Sequence, residues 1–241
     1  MGQDYCDVVY CHRPDRETPI EETVRAMNYL IKQNKTLYWG TSEWSAAQIV
    51  EAYRQADLNG LIPPVVEQPQ YNMFCRERFE KEYDFVFRHL GDGSTTWSPL
   101  ASGVLTGKYN SGERLKGTRL GEDSPIMNTI WGRYFGESKK DESLKKLLAL
   151  EKYAKELDAS QTQLALAWVA ANQDVSTVIL GASKVSQLEE NLKSLEVLKK
   201  WTPEVEKAIE DILGNKPEQE MNYKTYGKQK GRREERLYCA N

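Results

Sequence analysis

His12, the pair Ser42 and Glu43, Gln68, the pair Trp97 and Ser98, and Gly181 with Ser183 each stand where a short apolar run of the sequence stops. If those runs are parallel strands, their carboxyl ends share one edge, and parallel α/β folds bind their ligands at that edge. One polar strand end means little, but the same ending on five strands in succession describes one pocket. The last of them says most. Gly181-Ala182-Ser183-Lys184 supplies a glycine for close backbone approach, a hydroxyl at a helix N-cap and a lysine in the first turn. Free N–H groups at a helix amino terminus favour an anion, and a lysine there opposes the helix dipole unless an anion sits beside it. The plain alternative is an ordinary serine cap with a lysine in solvent. Trp97 is either a core residue or a flat platform for an aromatic ring. His12, one of two histidines, reads as structural as readily as catalytic. Ser/His/Asp order, HExxH, paired CxxC and the phosphate loop GxxxxGK[ST] are all lacking, so hydrolase and metalloenzyme readings have no support and no metal is expected.

The elements that must position these residues follow one pattern: strand, short loop, capped helix. Asp7–His12 is a β-favouring run. Thr18-Pro19-Ile20-Glu21 then offers a cap, a proline at the first helical position and a glutamate three after the cap, predicting a helix over 19–34 with Ile20, Val24, Met27 and Leu30 or Ile31 on one face. Leu37–Ser42 is the next strand, and Ser45 with Gln48 is a second capping box. Val65–Gln68 and Thr95–Ser98 are further strands, separated by a helical pattern of Phe79, Tyr83, Val86 and Leu90. Residues 103–140 are Gly-rich, charged and aperiodic, a connection of the length seen in site covers or disordered segments. Helices resume at Leu144 and Ser160, Val175–Leu180 is the fifth strand, and Leu188, Leu192 and Leu195 mark its helix. Thr202-Pro203 opens a last helix through Leu213.

Strands alternating with helices imply βαβ units and a parallel sheet, either doubly wound or a (β/α)₈ barrel. Five units fall three short of the eight that close a barrel, and the chain opens inside a unit. The expected fold is an incomplete TIM barrel, its five carboxy-terminal βα units with a long loop after the fourth strand. The barrel domain spans residues 4–217, and 218–241 reads as a flexible tail bearing the basic cluster Lys228–Arg233.

A net charge of −3 implies neither nucleic acid nor a strongly acidic partner. The four cysteines, Cys6, Cys11, Cys75 and Cys239, suggest no disulfide framework and read as reduced thiols. With no basic apolar leader and no apolar run of bilayer-spanning length, the chain is expected to be soluble and cytoplasmic.

Longer strings carry a resemblance. Tyr10–Asp15, Pro19–Met27, Tyr38–Ser45, Glu67–Phe74, Thr96–Gly103, Leu180–Ser183 and Leu213–Pro217, in that order, resemble the aldo-keto reductase superfamily and, within it, the voltage-gated potassium channel β-subunit branch. The likeness runs from about Asp4 to Pro217, and the loop over 111–140 departs from it. It implies NADP(H) across the barrel mouth. Ser42 and Gln68 would hold the carboxamide, with Glu43 at a more variable neighbouring position, and Trp97 would stack on the nicotinamide. Ser98, Leu100 and Ser102 would line the pyrophosphate path, and Lys108 would reach a phosphate. Arg119, in the divergent loop, would reach the 2′-phosphate region; Ser183 and Lys184 match the 2′-phosphate positions. Gln187, Glu190 and Asn191 match the adenosine end.

The superfamily's carbonyl reduction uses a tyrosine acid, a lysine that lowers its pKa, an aspartate that supports the lysine, and a histidine or asparagine near the carbonyl. Only the last is matched, at His12; the other three belong to strands before this chain's first. General acid help is worth ~10²–10⁴-fold, so the chain by itself is expected to be a poor carbonyl reductase. Three accounts compete: a protein whose amino end continues the barrel, a fragment completed by partners, or a repacked half-barrel. Two functions follow, an NADP-dependent reductase of aldehydes and ketones or a regulatory subunit with a retained nucleotide site. The likeness alone implies a potassium channel or another assembly as partner, peripheral to a membrane, and a homo-oligomer.

Overall fold

Each short apolar run pairs with the next one along the chain, so sequence order becomes spatial order. In a computed structural model, residues 2–218 are described, and they form a five-stranded sheet in the order β1-β2-β3-β4-β5 with every pairing parallel. The strands are β1 (Cys6–Cys11), β2 (Thr36–Thr41), β3 (Val66–Glu67), β4 (Gly93–Thr96) and β5 (Thr177–Val178). The helices are α1 (Ile20–Lys32), α2 (Ala46–Asn59), α3 (Pro125–Phe135), α4 (Lys140–Glu156), α5 (Gln161–Ala171), α6 (Val185–Leu192), α7 (Ser194–Lys199) and α8 (Pro203–Leu213).

The sheet curls. The Tyr10 hydroxyl on β1 lies 3.1 Å from Thr95 Oγ1 on β4. Across a flat sheet those strands would stand ~14 Å apart, beyond the reach of one tyrosine. Gly40, on β2 between them, leaves the necessary room: a Cβ there would lie 3.0 Å from the Tyr10 ring and 2.6 Å from the Val66 carbonyl oxygen. Parallel strands curling with helices outside form a half-barrel, the partial (β/α)₈ architecture that the alternation implies. Its edges are β1 and β5, and apolar side chains stand exposed on β2 (Leu37, Tyr38) and on α6 and α7 (Val185, Leu188, Leu192, Leu195).

Two cores form between sheet and helices. One gathers Val24, Trp39, Trp44, Ile49, Ala52, Ala56, Tyr83 and Val86 under α1 and α2. The larger one lies around α5, which is buried from Leu164 to Val169. The capping boxes Ser45/Gln48 and Ser160/Gln163 form as the residues dictate.

Four elements differ in detail from expectation. Thr18 does not cap α1; its hydroxyl donates to Asp15 at 2.7 Å, and Pro19 takes the cap position. The apolar pattern from Phe79 to Leu90 winds into two π-helical turns, Arg78–Glu82 and Val86–Leu90. The segment 103–140 is folded. It carries the 3₁₀ turn Arg119–Gly121 and α3, which is capped by Ser124 with proline at its first turn, and it buries Tyr109, Leu120, Tyr134 and Phe135. Finally, Lys184 and not Ser183 stands at the N-cap position of α6, and its side chain makes no capping hydrogen bond. The basic cluster Lys228–Arg233 lies outside the described residues.

Candidate functional site

The parallel strands deliver their carboxyl ends to one rim, and a cavity of about 880 Å³ opens there. Such a volume suits a cofactor-sized ligand. Trp97, Ser98, Leu100, Ser102, Lys108, Arg119, Gly181, Ser183, Lys184, Gln187, Glu190 and Asn191 all line it. With Thr162, residues from four separate stretches of sequence meet on one cleft.

His12, Ser42, Glu43 and Gln68 lie outside that lining, along the same rim, and contacts tie three of them to it. The Ser42 hydroxyl donates to the Gln68 carbonyl at 2.9 Å and accepts from Arg13 Nη1 at 3.0 Å. The Arg13 guanidinium in turn lies 5.8 Å from the centre of the Trp97 ring. Gln68 Nε2 donates to Thr95 Oγ1 at 3.4 Å, which places its amide above the Tyr10–Thr95 contact. His12 is exposed, and its side chain makes no hydrogen bond among the described residues.

The backbone of the rim is unusual. Glu43 (φ 59), Ser98 (φ 55), Ala101 (φ 49) and Ser102 (φ 57) occupy the left-handed region, and all stand at or just after strand ends. Each costs of order ~1 kcal/mol or more, and such residues gather at ligand sites. They turn the chain after β4 so that Ser98 Oγ accepts from the Ser102 N–H at 3.3 Å, both facing the cleft.

The cleft is cationic. Lys108, Arg119 and Lys184 line it, and none of the three has a carboxylate partner among the described residues. By contrast, Arg25, Arg54, Arg76 and Arg78 are all paired. The Lys108 ammonium lies 5.9 Å from the centre of the Tyr109 ring. The Ser183 N–H and hydroxyl both donate to Gln187 Oε1, at 2.8 and 3.1 Å. Beside Gly181 a Cβ would meet nothing within 4 Å, so that space is open. At the far wall, Ser160 Oγ donates to Glu190 at 2.6 Å, fixing the carboxylate against the α5 cap. Asn191 is 4% exposed, and its amide finds no hydrogen-bond partner among the described residues.

Sequence reasoning overlooked Arg13, Thr118 and Thr162. Thr162 lines the cleft from the first turn of α5, a position that the Ser160/Gln163 capping box marks as a helix amino terminus. Thr118 lies in the loop that reads as aperiodic, and Arg13 is visible only once β1 and β4 are seen to curl together.

Beneath the rim, Glu67 is fully buried. Its carboxylate accepts from Thr41 Oγ1 and from the Glu43 N–H, each at 2.5 Å. Burial pushes its pKa up to about 7, against the hydrogen bond from Thr41 that pulls it down.

Comparison with known proteins agrees with this architecture. The model of the aldo/keto reductase family matches residues 1–213. A probable voltage-gated potassium channel subunit beta of Arabidopsis thaliana is 48% identical over 224 residues, covering 93% of this chain and 66% of the relative. The protein of the same description in Oryza sativa subsp. japonica is 47% identical over 224 residues, again 93% and 66%. A putative voltage-gated potassium channel subunit beta of Schizosaccharomyces pombe is 45% identical over 217 residues, 90% of this chain and 62% of the relative. The chain therefore spans about 66% or less of the length of these relatives. A half-barrel whose strand ends share one cationic cleft, matched along nearly its whole described length, places this chain in the aldo/keto reductase family.

Proposed function

We infer that the chain is the nucleotide-holding part of an NADP(H)-binding, aldo-keto reductase-like protein. One observation carries this reading: three cations without carboxylate partners, Lys108, Arg119 and Lys184, stand on the same cleft as the Trp97 ring. Separated cations fit a ligand with phosphates at more than one place, and an indole face fits a flat ring. Asn191 on the lining of the cleft and the open space beside Gly181 fit the same ligand.

On this reading Trp97 carries the nicotinamide and Ser42 and Gln68 hold its carboxamide. Glu43 stands beside them on the rim. Ser98, Leu100, Ser102 and Lys108 follow the pyrophosphate. Arg119, Ser183 and Lys184 take the 2′-phosphate, and Gln187, Glu190 and Asn191 take the adenosine. NADPH, when bound, supplies hydride. His12 offers an imidazole to a carbonyl oxygen at the rim. Reduction of aldehydes or ketones is the activity of a protein that joins these residues to a tyrosine acid with its lysine and aspartate. Calorimetric titration with NADPH, NADH and 2′,5′-ADP tests the core of the reading. NADPH and 2′,5′-ADP should bind and NADH should bind more weakly; failure of both phosphorylated ligands to bind overturns it.

The names of the relatives favour a second reading, a channel-associated subunit that binds the nucleotide and turns over little. It would work as a homo-oligomer in the cytoplasm beside a membrane. No described helix is long and apolar enough to cross a membrane itself. Steady-state assay with an aromatic aldehyde, on a protein that joins this chain to the tyrosine, lysine and aspartate, separates the readings: binding without turnover favours the subunit and turnover favours the reductase.

A further inference from the structure

Glu43 stands two residues after β2, on the rim and outside the lining of the cleft, and both of its carboxylate oxygens face protein. Oε1 accepts from the Trp97 Nε1–H at 3.0 Å and from the Gln70 N–H at 2.6 Å. Oε2 accepts from Arg78 Nη1 at 2.8 Å, and the same guanidinium reaches the Glu43 carbonyl at 3.4 Å. Its left-handed φ of 59 turns the side chain inward, and the Glu43 N–H is held there by Glu67 Oε1 at 2.5 Å.

Trp97 is thereby fixed at two points. Its backbone N–H donates to the Pro69 carbonyl at 3.0 Å, and its carbonyl accepts from the Tyr71 N–H at 3.3 Å, which sets the Cα. The remaining freedom is two side-chain torsions. A single acceptor on the indole N–H removes most of it, and an ionised acceptor does so more firmly than a neutral one. A ring with its nitrogen edge tied inward presents its face to the cleft.

We propose that Glu43 is a positioning residue. It sets the Trp97 indole face on the cleft and is itself turned away from the ligand. The inference rests on the nicotinamide reading above and names what orients the platform. It also separates the two ends of the ligand: losing Glu43 should disturb the nicotinamide end and spare the adenosine end, which is held from the other side of the cleft.

The test uses the full chain with Glu43→Ala, Glu43→Gln and Trp97→Phe, the last giving Trp97 emission by difference. Glu43→Ala should weaken NADPH about tenfold, as expected for one lost charge-assisted hydrogen bond. It should leave 2′,5′-ADP affinity unchanged and raise acrylamide quenching of Trp97. Glu43→Gln keeps an acceptor oxygen for Trp97 and Gln70 and should restore both NADPH affinity and quenching. Unchanged quenching in Glu43→Ala overturns the proposal. So does an equal loss of both nucleotides, or a Glu43→Gln variant as impaired as the alanine one. Should the wild-type chain bind neither nucleotide, the dinucleotide reading falls alone, because the quenching comparison still decides whether Glu43 holds Trp97.

Discussion

Arg76 and Glu210, 134 residues apart in sequence, form a bidentate ion pair inside the protein, with N–O distances of 2.8 and 2.9 Å. Only 3% of the Arg76 side chain is exposed. The same guanidinium holds Glu80 at 2.9 Å, and it lies 5.1 Å from the centre of the Trp168 ring. One cation therefore joins the chain after β3 to α8 and to the α5 core.

Arg76→Ala should accordingly be among the most damaging single changes, leaving two half-buried carboxylates, Glu80 and Glu210, without their cation. Removing one partner of such a cluster costs about 3–5 kcal/mol. Urea unfolding of the variant should show a lower midpoint by that measure. A variant within about 0.5 kcal/mol of wild type, the range of ordinary surface changes, would show that the cluster carries little.

Lys184→Ala should weaken NADPH by about tenfold and NADH much less, since a solvent-edge cation facing a phosphate contributes roughly 1–2 kcal/mol. Parallel calorimetric titrations check it. Equal losses for the two nucleotides would remove Lys184 from the 2′-phosphate.

Glu67 makes a pH prediction. Its carboxyl has an ordinary value of 4.5 and stands at about 7 in the fold because burial disfavours the charged form. Between those values the folded chain holds a proton that the unfolded chain has released. Stability from this group is therefore full at low pH, falls as pH rises from 4.5 to 7 and then levels. The span corresponds to about 3 kcal/mol. The Glu43 charge adds to the rise, and the hydrogen bonds from Thr41, the Glu43 N–H and Tyr83 oppose it. Urea midpoints at pH 5 and pH 8 should diverge in wild type more than in Glu67→Gln, and parallel slopes would refute the assignment.

Gly40→Ala tests the curl of the sheet. The added Cβ would stand 2.6 Å from both the Val66 carbonyl oxygen and its Cγ1. Backbone cannot yield as a side-chain tip does, so a loss of about 1–3 kcal/mol is expected from overpacking. Thermal melts of Gly40→Ala check it, and Gly181→Ala, with open space beside it, should leave stability unchanged in them.

Much of this architecture was legible because its signals are local. Ser45 with Gln48 and Ser160 with Gln163 each make a hydrogen-bonded loop within four residues, so residue type alone reveals the cap. The strand ends were legible for the same reason, polar residues following short apolar runs. The strands β3 and β5 are shorter than their apolar runs, yet backbone bonds to the neighbouring strand continue on either side of them, at Val65 and Gln68 and at Ser176 and Ile179. Phe79 to Leu90 keeps a helical spacing that does not distinguish π from α winding. In 103–140 the signal was present at Ser124-Pro125 but stood among glycines and charges that hide a period. The inward turn of Glu43 was not legible, because it depends on Arg78, Glu67 and Trp97, which only the curl brings near.

The left-handed residues after β4 bear on how this protein could change. Ser98, Ala101 and Ser102 hold conformations in which glycine would be more comfortable. A laboratory selecting for heat tolerance would drift toward glycine at those positions and obtain a calmer chain with a vaguer entrance. Durability and discrimination pull in opposite directions along this one short stretch.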